Sequence, residues 1–453
     1  MSSFLDRAHT IAPPGYNRFM VPPAALAVHL AIGQAYAFST FNLPLTKLIG
    51  ITKSAPDDWN LAELGWIFSI AIVFLGVSAA VFGRWVENVG PRKAMFTAAL
   101  CFGGGFLISA VGIHLHALWL LYLGYGVLGG CGLGIGYISP VSTLIKWFPD
   151  RPGMATGMAI MGFGGGAMIA APLSVFLMNY FKSATSTGLV GTFVVMGVIY
   201  FVFMMIGVYA VRVPAADWKP AGWVAPTQPK KLVTTSQVHV DIAWRTKQFW
   251  LLWAVLCLNV TAGIGVIGQA SPMIQEMFGT RITPTTAAGF VGLLSLFNMG
   301  GRFFWATTSD YLGRRNTYMV FFLLGIALYA LVPTTGQIGS VTLFVAAFAI
   351  IISMYGGGFA TVPAYLRDVF GTMHVGAIHG RLLTAWSAAG VLGPVLVNYI
   401  RQYQIEAGVP KAQAYSITMY IMCGLLLVGF LANLAMRAVE ERHHYREVAS
   451  AHS

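Results

Sequence analysis

Charge is scarce in this chain. Only 9% of its 453 residues are Asp, Glu, Lys or Arg, and 57% are hydrophobic. Soluble domains carry about 25% charged residues. With a mean hydropathy of +0.71, the composition reads as an all-α integral membrane protein. Cysteine is also rare. Cys101, Cys131, Cys257 and Cys423 stand singly in apolar segments, with no CxxC pair and no zinc spacing. That excludes a disulfide framework or a structural metal and leaves small core residues. The first apolar run starts near Met20. No short apolar core with a small-residue cleavage site precedes it, so no cleavable signal is expected. All 15 acidic residues fall outside the deep parts of the apolar runs, with Glu63 and Glu276 nearest to them. No catalytic cluster appears, so an enzyme is not expected, nor any metal or cofactor.

What is present is a series of apolar runs of 17 or more residues, the length that crosses a bilayer. Twelve are expected, from Met20–Leu48 to Ala412–Ala438, the eleventh at Leu382–Tyr399. A polar stretch rich in Pro and Lys separates the first six from the last six. The expected division is a first half at 1–211, a linker at 212–248 and a second half at 249–453. With both termini placed in the cytoplasm, 20 of the 27 Lys and Arg fall on the cytoplasmic side and six outside. This bias fixes the orientation. It also accounts for the net charge of +12 without a nucleic-acid partner.

The last of the 27 basic residues is Arg302. It stands in an otherwise uncharged run from Ala287 to Ala306. A charge at membrane depth costs from about 3 to above 10 kcal/mol, and such residues usually face an aqueous cavity. The alternative is that Arg302 snorkels to the nearer surface. Asp310 is eight residues on, roughly 12 Å along a helix, which is far for one side chain. Asn298 lies one turn before Arg302 on the same face. It can bind the same ligand, hold the guanidinium, or make an inter-helix contact.

The two halves echo each other. Gly83-Arg84-Trp-Val-Glu87-Asn-Val-Gly90-Pro-Arg92-Lys93 joins runs two and three. Ser309-Asp310-Tyr-Leu-Gly313-Arg314-Arg315 joins runs eight and nine, about 223 residues later, and the same offset carries Tyr36 onto Asn259. Parallel repeats of this kind mark transporters, with the substrate site between the repeats near the midplane. Gly124-Tyr-Gly-Val-Leu-Gly129 matches a dinucleotide pattern, but it follows no strand and lies inside an apolar run, so that reading is rejected. The glycines from Gly126 to Gly136 have instead the spacing that lets helices approach closely. Gly162 to Gly166 with Pro172, and Gly390, Gly393 and Pro394, read as packing and bending points in corresponding places.

The two acid-glycine-basic loops resemble the cytoplasmic loop motif of the major facilitator superfamily. Trp147-Phe-Pro-Asp-Arg-Pro-Gly-Met-Ala-Thr-Gly157, Tyr36-Ala-Phe-Ser-Thr-Phe41 and Asn298-Met-Gly-Gly-Arg302 resemble its oxalate–formate antiporter family, which is related to monocarboxylate transporters. The resemblance runs over nearly the whole chain. It implies the major facilitator fold and transport of a small organic anion across a bacterial inner membrane, by a monomer. It also implies a cavity lined by aromatic residues, here Tyr36, Tyr137, Tyr355, Phe359 and Trp386, with Asn298, Arg302 and Asn259. Ordinary helix packing stays open for each aromatic taken alone. The loop residues Gly83, Arg84, Glu87, Gly90, Arg92, Asp310, Gly313, Arg314 and Arg315 are the expected cytoplasmic gate. His29 is the single histidine placed inside an apolar run, and is either a proton relay or a satisfied structural residue.

The eleventh run departs from part of the family. The oxalate transporters carry a lysine there, completing a two-cation site. This chain has Trp386 at or next to that position, and Arg381 is the nearest cation. The expectation is therefore a carrier of lactate, pyruvate or formate, working as an exchanger or proton symporter. An oxalate/formate antiporter, or an exporter of another organic anion or drug-like molecule, is the alternative. A membrane sensor of the same fold would add a signalling domain, for which the tail after Ala438 is short.

Overall fold

The computed structural model describes residues 4–223, 233–234, 236–267 and 270–445. Among them the chain is helical, with only two isolated β-bridges, Ile11 to Val213 and Ser183 to Ser186. The long helices are α1 (Val21–Ile32, continued by a 3-10 turn at Gly33–Phe41), α2 (Leu61–Val89), α3 (Pro91–His114), α4 (Gly130–Trp147), α5 (Pro152–Phe181) and α6 (Leu189–Ala210). After the polar stretch come α7 (Lys247–Ile267), α8 (Pro284–Leu312), α9 (Arg314–Gln337), α10 (Val341–Phe370), α11 (Val375–Leu382 with Thr384–Glu406) and α12 (Ser416–Leu434). A π-helical stretch, Tyr122–Gly129, leads into α4.

Eleven helices are long and apolar enough to cross a membrane among the described residues. The 29-residue α8 is not one of the eleven; it carries Asn298 and Arg302 in mid-length. The eleventh run differs from its expected bounds. The helix there starts at Val375 rather than Leu382, so His379 also lies inside a membrane-length helix, and His29 is not alone. Glu63 and Glu276, the acids nearest the apolar runs, each have a local reason to be there. Glu63 completes a capping box with Asn60 at the start of α2, which satisfies two otherwise orphan amides. Glu276 pairs with Arg401 and accepts from the Tyr415 hydroxyl at 2.6 Å.

Several helices approach at backbone distance. A Cβ added at Gly166 in α5 would lie 2.6 Å from the backbone of Gly33, and one at Gly130 in α4 would lie 2.7 Å from the Ala71 carbonyl of α2. Small residues are what permit such approach in lipid, where packing replaces the hydrophobic drive between helices.

The basic ends of the helices are closed by a repeated device. In the second half, Asp310 at the end of α8 accepts from the backbone N–H groups of Gly153 and Met154, both at 2.9 Å, at the start of α5. In the first half, Glu87 at the end of α2 accepts from Gly376 at 2.9 Å and Ala377 at 3.2 Å, at the start of α11. Donors and acceptors correspond at the 223-residue offset. Each carboxylate thus crosses between the halves to satisfy orphan amides at the positive end of a helix. Gly90 and Gly313, with φ of 85° and 81°, turn the chain sharply between α2 and α3 and between α8 and α9, a backbone geometry that side chains resist.

The arginines of these loops divide the work. Arg314 pairs with Asp310 at 2.6 Å and with Asp368 at 3.2 Å. Arg92 donates to the carbonyls of Val208 and Val211 at the end of α6, and Arg315 donates to the Leu434 carbonyl at the end of α12. Both cations therefore cap the negative ends of helices rather than pairing with Glu87 or Asp310. Arg84 pairs with Asp241, outside the motif, at 3.2 Å. Carboxylates at helix N-termini contribute about 0.3–1 kcal/mol each, more when partly buried. The double substitution Glu87→Gln with Asp310→Asn is therefore expected to raise the open fraction at the basic end by about tenfold. Alkylation rates of cysteine probes placed at the starts of α5 and α11 check this.

Candidate functional site

Arg302 projects from α8 toward α5 and α10. It is fully buried, so it does not snorkel. Its Nε donates to Asn298 Oδ1 at 3.0 Å, one turn back on the same helix. Its Nη1 reaches the Ile160 carbonyl of α5 at 3.4 Å. Its guanidinium carbon lies 5.5 Å from the Phe163 ring centre and 5.4 Å from that of Phe359. Cation–π contacts of this kind contribute about 0.5–2 kcal/mol each, the more so when desolvated. The last nitrogen, Nη2, has no hydrogen-bond partner. A buried charged donor left empty costs several kcal/mol.

Two glycines make the space. A Cβ at Gly164 in α5 would lie 3.0 Å from Arg302 Nε, and one at Gly356 in α10 would lie 2.6 Å from Asn298 Oδ1 and 3.1 Å from Arg302 Cγ. Gly356 was not legible as a site residue in the sequence.

An aromatic cage surrounds the guanidinium. Trp386 of α11 is fully buried, with ring centres 4.3 Å from Phe359, 5.3 Å from Phe163 and 5.5 Å from Tyr137. Phe163 and Phe359 thus touch Arg302 and Trp386 alike. Tyr36 of α1 packs edge-on against Phe163 at 5.1 Å. Its hydroxyl meets that of Tyr355 of α10 at 3.0 Å, a hydrogen bond between the first and second halves of the chain. Tyr355 in turn packs edge-on on Phe359 at 5.3 Å. The hydroxyl of Tyr137 and the indole Nε1 of Trp386 are buried and unpartnered. Three buried polar groups in this cluster have no hydrogen-bond partner: Arg302 Nη2, Tyr137 Oη and Trp386 Nε1.

The structure brings together Arg302, Asn298, Tyr36, Tyr137, Tyr355, Phe359 and Trp386. Asn259 of α7 borders, with Tyr355 and Tyr329, a cavity of about 10 Å³, and its Oδ1 faces Gly358. His29 stacks on Tyr137 at 5.2 Å and donates from Nε2 to the Tyr137 carbonyl at 3.1 Å. Phe163 was missed in the sequence, hidden in the glycine run of α5. The repeat offset carries Phe163 onto Trp386, which is the signal that finds it. Arg381 does not enter the chamber. It donates to Asp241 at 2.7 Å and to the Val240 carbonyl at 2.8 Å, and the bond from Arg381 holds the Asp241 carboxyl below its ordinary range.

A buried cation in an aromatic cage lies between two helical repeats whose basic ends are joined by paired contacts. The Major Facilitator Superfamily model matches residues 17–394. This chain belongs to the major facilitator superfamily. It is a secondary transporter of that type, embedded in a membrane, and not an enzyme. An oxalate:formate antiporter from Oxalobacter formigenes is 27% identical over 84% of this chain and 84% of its own. An apicoplast pyruvate carrier from Toxoplasma gondii is 24% identical over 77% of this chain and 72% of its own. Among solved structures, a proton:xylose symporter superimposes with a TM-score of 0.66 at 14% identity, covering 92% of this chain and 95% of its own. This major facilitator protein shares the fold with such distant relatives.

Two substitutions test the site. Arg302→Lys replaces a planar fork by a point charge and is expected to weaken substrate binding by roughly tenfold to a hundredfold, the worth of one or two charged hydrogen bonds. Equilibrium binding to purified protein measures it. Gly356→Ala adds one methyl against Asn298 and is expected to slow transport at least about tenfold by displacing the Arg302 support. Gly300→Ala, in open space on α8, is expected to leave transport unchanged.

Proposed function

We propose that this protein carries small monocarboxylates, such as lactate, pyruvate or formate, by alternating access. The observation that carries this reading is the single cation of the chamber, with one nitrogen unpartnered. Each uncompensated charge at membrane depth costs several kcal/mol. A monocarboxylate on Arg302 leaves a nearly neutral chamber that can reorient. Oxalate would leave one negative charge against Trp386 and the phenyl rings. Arg381, the cation nearest to Trp386 along the chain, is engaged by Asp241 and Val240. The tyrosine and indole donors suit the carboxylate's second oxygen or a neighbouring oxo or hydroxyl group.

The rest of the reading follows. Two six-helix halves, 1–211 and 249–453, rock about the chamber, with 212–248 as their cytoplasmic linker. Twelve membrane helices, α8 included, put both termini in the cytoplasm of a bacterial cell whose inner membrane holds the protein as a monomer. Glu87 and Asp310 then latch the cytoplasmic side.

A relative named oxalate:formate antiporter keeps the dianion reading alive as the alternative. Competition separates the two. In proteoliposomes, pyruvate and formate are expected to displace labelled lactate at lower concentration than oxalate does. Trp386→Lys is expected to reverse the order, gaining oxalate affinity by about tenfold or more from the second charge. Oxalate outcompeting pyruvate in the wild-type protein, with Arg381→Gln abolishing that advantage, would replace the monoanion reading by the dianion one.

A further inference from the structure

His379 is 1% exposed, and neither of its ring nitrogens has a hydrogen-bond partner. A neutral imidazole always carries one N–H and one lone pair, so either tautomer leaves a buried donor empty. Such a donor costs about 1–3 kcal/mol and calls for a function. The ring lies 5.9 Å from that of Tyr137. Tyr137 stacks on its other neighbour His29 at 5.2 Å and packs on Trp386 at 5.5 Å. Two histidines therefore flank the tyrosine whose hydroxyl is unpartnered in the chamber. His29 is tied to the Tyr137 carbonyl; His379 is not tied to anything. It also lies two to three residues beyond the amides of Gly376 and Ala377 that hold Glu87.

The charged and titratable groups on the elements packed against this segment are engaged elsewhere. From α2, Glu87 accepts from the backbone of α11 and Arg84 pairs with Asp241. From the turn before α7, Asp241 holds Arg381. From α10, Arg367 and Asp368 pair with each other, and Asp368 with Arg314. From α4 come Tyr137 and Lys146, and Lys146 lies toward Glu87. Tyr137 presents its ring to His379, and His29 of α1 is the other titratable group that acts on it.

Resting on the carrier reading above, we infer that His379 is the proton-binding site that couples net monocarboxylate uptake to proton flow. The charge balance gives the reason. The empty chamber holds one positive charge, on Arg302. With a monoanion bound it holds none, so loaded and empty forms differ and exchange is favoured. A proton added to the lone pair of His379 restores one positive charge. Net transfer of the monoanion with that proton is then electroneutral, whereas transfer of the monoanion alone moves one charge across the membrane. The proton enters from the side to which the chamber is open and leaves on the other with the substrate.

The test uses the full chain in liposomes and reads two modes separately. Counterflow of labelled lactate against internal lactate needs no net proton movement. Net lactate uptake driven by an acid exterior does. The wild-type protein is expected to perform both, with net uptake rising as the outer pH falls and collapsing with a protonophore. His379→Gln is expected to keep counterflow within about twofold and lose at least about tenfold of proton-driven uptake, as removal of a proton relay should. Proton-driven uptake unchanged in His379→Gln, or absent from a wild-type protein that performs counterflow, overturns the inference. Absence of any monocarboxylate counterflow in the wild type overturns the carrier reading instead. If His379→Gln loses both modes, His379→Asn is measured in the same way. Loss of both again assigns His379 to structure and overturns the inference, and loss of net uptake alone supports it.

Discussion

Burying one guanidinium is the constraint on which this structure depends. Arg302 loses its water at a cost of several kcal/mol, and the helices around it are arranged to offset that cost without satisfying the group completely. Asn298 and Ile160 take two of its nitrogens, and the faces of Phe163 and Phe359 take its charge. Gly164 and Gly356 let α5 and α10 come close enough to do so. The remaining nitrogen is the one that the proposed anion would complete. A fully satisfied arginine would be a structural strut; a less supported one would not stay in place between substrates.

The repeat explains how such a chamber can open. At the basic end, two carboxylates reach across to the starts of two helices, and two arginines cap the ends of two others. The two carboxylate contacts correspond at the 223-residue offset, as do Arg92–Val211 and Arg315–Leu434. None is covalent, and each rests on partial charges at helix ends worth about a kcal/mol. A closure made of several such contacts is stable together and releasable together, the behaviour expected of a two-state element. The hydroxyl pair Tyr36–Tyr355 joins the same halves at the chamber itself.

Much of this was legible in the sequence because lipid makes composition strict. A single arginine in an uncharged run, an asparagine one turn away and a repeated acid-glycine-basic loop each have few explanations at membrane depth. Phe163 was not legible, since a phenylalanine among glycines in an apolar helix carries no chemical signal, and only the repeat pairs it with Trp386. His379 was not legible because His374 and Arg381 make its surroundings look like a loop, whereas the helix starts at Val375. The roles of Arg92 and Arg315 were hidden for a different reason. Their acceptors are backbone carbonyls of α6 and α12, and backbone groups leave no mark in a sequence. The same holds for Arg381, whose partner Asp241 lies in the polar stretch far along the chain.

The central claim is that one carboxylate binds at Arg302 between the two phenyl rings. A structure of the protein with pyruvate bound tests it most directly. The account predicts the carboxylate on the Nη2 side of Arg302, flanked by Phe163 and Phe359, with the oxo group toward Tyr137 or Trp386 and Asn298 still on Nε. Density for pyruvate elsewhere, beside Arg381 and Asp241 for example, with Arg302 Nη2 still unpartnered, would contradict it.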